Sequence, residues 1–185
     1  GILYEERERY INYLVPGKDV VYMTLTTLDD ELIKKIEPGA PTATERLKLT
    51  EYLASHDIPV ILAPNPYVKD WIPNEKEYCR IAKDAGARGI WQTHLHLNET
   101  QREVLAREND PLDLAHLVDK VDAAHMNRQV KDWYIAAESV GLDIYTNQNF
   151  APYFGNREKH EVAANPAWLG GKVFDYVMKI PKFLN

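Results

Sequence analysis

Apolar runs alternate with charged, amphipathic stretches along the first half of the chain. Short apolar or β-branched runs occupy residues 20–25, 58–63 and 87–97, and such runs are typical of strands that are covered on both faces. The stretches between them place apolar residues at helical spacing. The sequence therefore predicts an α/β protein whose parallel strands are joined by helices.

Helix start and stop signals divide these stretches further. Pro38-Gly39 and Ala85-Gly86 are helix breakers, and Asn74 is a suitable helix cap. The helices predicted in the first half span residues 4–13, 30–36, 42–55 and 75–84. Each predicted strand is thus preceded by a helix.

The second half of the chain predicts a mainly helical extension. Helical patterns cover residues 99–108 and 112–140, a short strand-like run follows at 142–146, and residues 168–184 resemble a terminal helix. We expect a single domain over residues 1–185. Its βα units occupy residues 1–97 and its helical C-terminal extension occupies residues 98–185.

Composition restricts the classes of protein that remain. A length of 185 residues with 45% hydrophobic content suits one globular domain. A net charge of -6 does not favour a nucleic-acid partner, and no apolar run approaches the roughly 20 residues that cross a bilayer. The single cysteine, Cys79, excludes an internal disulfide and is expected to be a small core residue. We expect a cytoplasmic protein that is either processed or one piece of something longer.

Polar side chains gather where the predicted strands end. Thr24, Thr26 and Thr27 end the first strand, and Asn65 lies in a proline-rich loop after the second. Gln92, His94 and His96 lie along the third strand. Ligands collect at the carboxyl ends of parallel strands, which makes these residues candidates for a site. Threonine is also a good strand former, so the threonines alternatively serve only the strand.

The segment TLTTLDDELIKKIEPGAPTATERLKLTEYLASHDIPVILAPNPYVKDWIPNEKEYCRIAKDAGARG carries an ordered series of motifs. A strand is followed by T-x-L-D-D-E-L at the start of a helix, then E-P-x-A-P, an Arg-bearing helix, a strand ending near A-P, and a G-A-R strand entry. In this order the series resembles the radical S-adenosylmethionine (SAM) superfamily, in its spore photoproduct lyase-like, DNA-repair-photolyase-like branch. The resemblance covers about residues 19–92.

This resemblance implies a partial (β/α) barrel, namely the later half of a six-stranded radical SAM-type barrel. Enzymes of this superfamily bind a [4Fe-4S] cluster through C-x3-C-x2-C, a motif that this sequence lacks. We therefore expect either a partner chain or missing segment that supplies the cluster, or a degenerate relative that has lost the chemistry. The open strand edge of a half barrel predicts binding to such a partner or self-association.

The resemblance also implies a pocket for SAM. The ligand's polar ends need hydroxyls or amides, and its carboxylate needs a guanidinium. The candidate SAM-binding residues are Thr24, Thr26, Arg46, Asn65 and Gln92. An alternative for Arg46 is a surface cation near Glu45 or Glu51.

His94 and His96 point to one side of a strand, an arrangement that also suits a metal site. Asp29, Asp70 or Glu99 could supply a third ligand. In a radical SAM barrel the two histidines would instead face the substrate or adenine, and we expect this role rather than metal binding.

Three functional classes remain open. The first is the SAM- and substrate-side half of a radical SAM enzyme, which cleaves SAM reductively only when the cluster is supplied. The second is a non-catalytic binding module derived from that fold, and the third is a metal-dependent hydrolase that uses His94 and His96. The sequence does not identify the substrate.

Overall fold

One parallel sheet organises the residues that the computed structural model describes, which are 3–92, 100–101, 103–104 and 123–146. In this part of the chain the strands are β1 (Val21–Thr24), β2 (Val60–Ala63), β3 (Gly89–Gln92) and β4 (Asp143–Thr146). They lie in the order β1-β2-β3-β4, and every neighbouring pair is parallel. The predicted α/β fold with a parallel sheet is therefore confirmed.

Helices lie before and between these strands. Their bounds are α1 (Arg7–Ile11, after a 3-10 turn at Tyr4–Glu6), α2 (Asp30–Ile36), α3 (Ala43–Ser55), α4 (Glu75–Asp84, after a 3-10 turn at Lys69–Trp71) and α5 (Ala123–Val140). Side chains of Asp29, Thr42 and Asn74 accept backbone N–H groups at the starts of α2, α3 and α4. Within the described residues, every helix is too short or too polar to span a bilayer.

The helices α2 to α5 pack against one face of the sheet. Strand residues Val60, Leu62 and Ile90 share a buried core with side chains from all four of these helices. In that core, the Trp133 ring of α5 meets the Tyr78 ring of α4 edge-on, with centroids 5.2 Å apart. Right-handed crossovers between strands that follow chain order put all connecting helices on the same side, as seen here.

The opposite face of the sheet carries the alternate residues of the strands, among them Tyr22, Ile61 and Trp91. Tyr22 of β1 and Trp91 of β3 are separated by β2, yet their rings meet edge-on with centroids 5.4 Å apart. The backbones of two strands on either side of a third lie roughly 10 Å apart. The two side chains therefore converge across β2.

The predicted strands occur where expected, and each begins one or two residues later than predicted. The prediction at residues 87–97 corresponds to β3, and residues 93–97 lie outside the described part of the chain. The prediction at 112–140 corresponds to α5, with residues 112–122 outside the described part. Because β4 pairs with β3, the sheet includes a strand from the segment 98–185, for which a mainly helical extension is predicted.

Candidate functional site at the carboxyl ends of the strands

Three of the predicted binding residues lie along one edge of the sheet. Thr24 ends β1, Gln92 ends β3, and Asn65 follows the last residue of β2 by two positions. Because these strands are parallel, their carboxyl ends meet at the same edge. Strand alternation sets Thr24 on the face of Trp91, whereas Gln92 lies on the face that the helices cover. The fold thus brings these residues to one edge but not all to one face.

Arg46 of α3 is buried beside the end of β1, with 6% of its side chain exposed. Its Nε donates to the carbonyl of Pro41 at 2.9 Å, and its Nη1 donates to the carbonyl of Thr24 at 2.9 Å. Its Nη2 forms an ion pair with Oε2 of Glu37 at 2.6 Å. Each of the three guanidinium nitrogens therefore donates to an oxygen of the protein itself.

These contacts overturn the alternative of a surface cation near Glu45 or Glu51. Arg46 is buried, and its carboxylate partner is Glu37. Glu45 instead accepts hydrogen bonds from the backbone N–H and the hydroxyl of Thr42, in a capping box that begins α3. The start of α3 thus uses Glu45 for its cap and Arg46 for its attachment to β1.

Glu37, which follows α2, joins Arg46 to the loop after β1. The hydroxyl of Thr26 donates to Oε1 of Glu37 at 2.5 Å. Partial burial opposes ionisation of Glu37, but hydrogen bonds from Arg46 and Thr26 and the charge of Arg46 outweigh it. They hold the pKa of the Glu37 carboxyl below its usual value. We call Thr24, Thr26, Glu37 and Arg46 the β1 clamp.

The β1 clamp limits what its members can offer a ligand. Thr26 is 4% exposed and its hydroxyl is bonded to Glu37, so it does not face an open site. A ligand carboxylate would have to displace Glu37 from Arg46. Thr24, in contrast, is exposed, and its hydroxyl receives only a long contact of 3.4 Å from Arg46. Of the four residues, Thr24 is the most exposed.

Gln92 is fully buried at the end of β3, with 0% of its surface exposed. Among the described residues, neither its amide oxygen nor its amide nitrogen has a hydrogen-bond partner. Burying an amide without partners costs about 1–3 kcal/mol. Such an unpaired group is uncommon in folded proteins and calls for a reason.

A cleft of about 420 Å³ opens between the loop after β1 and the loop after β2. We call it the loop cleft. Its lining residues are Thr27, Leu28, Asp29, Leu32, Asp70, Trp71, Ile72, Pro73, Asn74 and Glu77. The buried hydroxyl of Thr27 donates to the carbonyl of Trp71 at 2.8 Å and accepts the N–H of Asp29 at 3.2 Å. Thr27 therefore ties the two walls of the cleft together.

Cys79 lies buried on α4, on the helix-covered side of the sheet. Burial raises the pKa of its thiol to about 12, which keeps it protonated at neutral pH. A [4Fe-4S] cluster needs several thiolates at one place, and this chain has one cysteine. The residues of this chain therefore do not fit the cluster, and the prediction that Cys79 is a core residue is confirmed.

His94, His96 and Glu99 lie outside the described residues, so their proposed roles stay predictions. Asp29 and Asp70, the other candidates for a third metal ligand, both line the loop cleft. Within the part of the chain that the structure describes, no group of three or more His, Cys, Asp or Glu side chains could hold a metal ion.

Two residues of this region are absent from the sequence-based candidates. Glu37 belongs to the E-P-x-A-P motif, and the structure makes it the partner of Arg46. A signal for this pair is present, because an acidic residue and an arginine flank a short proline-containing turn. Tyr78 donates its hydroxyl to the carbonyl of Leu25 at 2.7 Å and so ties α4 to the end of β1. No sequence pattern predicts that contact.

No family model, no curated protein and no solved structure matches the chain.

Proposed function

We propose that this chain is the SAM- and substrate-side half of a radical SAM-type barrel. The observation that carries this proposal is the parallel sheet in chain order, with α2 to α5 packed on one face and Thr24, Asn65 and Gln92 along its carboxyl edge. Ligands bind at this edge in open α/β sheets and in barrels.

The arrangement of strands and helices supports a barrel rather than a doubly wound sheet. A doubly wound sheet reverses its strand order and carries helices on both faces. Here the order follows the chain. The convergence of Tyr22 and Trp91 across β2 is what a concave inner face produces. These observations favour the half barrel that the sequence resemblance implies.

The β1 clamp gives a physical meaning to the motifs behind that resemblance. Thr26, Glu37 and Arg46 belong to separate motifs of the series, and they meet in one hydrogen-bonded network at the end of β1. The capping residue Asp29 of the same series begins α2. The motif order therefore describes one structural unit, which supports descent from a fold built around that unit.

The geometry divides the five proposed SAM-binding residues into two groups. Thr24 and Asn65 are proposed to contact SAM from the carboxyl edge, because hydroxyl and amide groups suit its polar ends. Gln92 is fully buried on the helix-covered face and is proposed to position the end of β3 at that edge. Arg46 and Thr26 are proposed to position β1 through the β1 clamp, since their polar groups are already bonded within the protein. The carboxylate of SAM would then need a donor other than Arg46.

The [4Fe-4S] cluster of radical SAM enzymes supplies the electron for reductive cleavage of SAM. The one buried cysteine of this chain cannot hold it. We propose that the cluster ligands come from a partner chain or from a segment outside this sequence. The free chain should therefore bind SAM without cleaving it.

Isothermal titration of the purified chain with SAM tests this proposal. Thr24→Val should weaken binding by about tenfold, whereas Ser55→Ala, which removes an exposed hydroxyl from the end of α3, should leave it unchanged. Gln92→Leu should leave SAM binding unchanged and raise the free energy of unfolding by about 1–2 kcal/mol, because it removes a buried amide that has no hydrogen-bond partner among the described residues. Absence of saturable binding, or equal affinity in all four proteins, would contradict a SAM site at this edge.

A further inference from the structure

We draw no further inference here: the strongest candidate, the fully buried Gln92 amide at the carboxyl end of β3, lacks hydrogen-bond partners among the described residues, but the segment that follows it lies outside them, so nothing in the structure shows what this amide faces.

Discussion

Arg46 attaches α3 to the end of β1 through buried hydrogen bonds. Its removal leaves Glu37 partly buried without a counter-charge and the carbonyl of Thr24 without its donor. Breaking a buried ion pair in this way costs about 3–5 kcal/mol, and the 26% exposure of Glu37 puts the expected loss near the lower end. We expect Arg46→Met to lower the free energy of unfolding by about 3 kcal/mol in urea titrations.

Arg80→Met is the matched control for that variant. Arg80 pairs with Glu77 and Asp84 on the exposed side of α4, and exposed pairs contribute about 1 kcal/mol or less. If Arg46→Met and Arg80→Met lower the free energy of unfolding equally, the β1 clamp has no special role in stability.

Glu37 should make stability depend on pH in the acidic range. Its pKa in the folded chain lies below the ordinary value of 4.5, so the unfolded chain binds the proton more readily. Its contribution is then fully present above about pH 4.5 and is lost as the pH falls through the lowered pKa. Glu37→Gln should therefore be less stable than the parent chain at neutral pH. The difference in stability between the two proteins should become smaller as the pH is lowered.

Thermal melts of both proteins at a series of pH values measure this difference in stability. Glu51→Gln serves as the comparison, because Glu51 is exposed on α3 outside the β1 clamp. The stability difference between Glu37→Gln and the parent chain could instead stay constant from neutral pH to well below pH 4.5. That result would show that the fold does not stabilise the charged form of Glu37.

At the scale of the elements, the contact between α3 and the turn after α4 depends on a close approach at Gly86. A Cβ at this residue would lie 2.7 Å from the Cβ of Ala54, and Gly86 also has a φ of +85°. Gly39, between α2 and α3, has a φ of +81°, but a Cβ at that residue would meet nothing within 4 Å. Both substitutions to alanine incur the left-handed backbone penalty of about 1–2 kcal/mol.

Gly86→Ala should therefore destabilise the chain more than Gly39→Ala, by an additional amount of about 1–3 kcal/mol for the overlap with α3. Urea titrations of the two variants give this difference directly. If both variants lose the same free energy of unfolding, α3 and the turn after α4 can move apart at this point without cost.

The sequence predicts the elements better than their contacts. Strand and helix positions follow from local signals such as the Thr42 cap and the apolar run that becomes β2. The pairing of Arg46 with Glu37 depends on how α2 and α3 fold back on β1, which periodicity does not encode. The sequence predicts Gln92 at the carboxyl edge, but its burial on the helix-covered face depends on the register of β3 against its neighbours.

At the scale of the whole molecule, the sheet ends at β1 on one side and at β4 on the other within the described residues. The proposed half barrel would have open edges at these two strands, and open edges favour pairing with another strand. The proposed partner or missing segment would both extend the sheet and supply the cluster ligands. The same carboxyl edge would then hold SAM between the two halves.

A nitrogen-15 correlation spectrum of the chain, recorded during titration with SAM, tests the central proposal most directly. We expect saturable shift changes at Thr24, Asn65 and Gln92, at the carboxyl ends of the three neighbouring strands, and none at Val21, Val60 and Gly89 at their amino ends. Changes confined to the amino ends, or no saturable change at all, would contradict a SAM pocket at this edge.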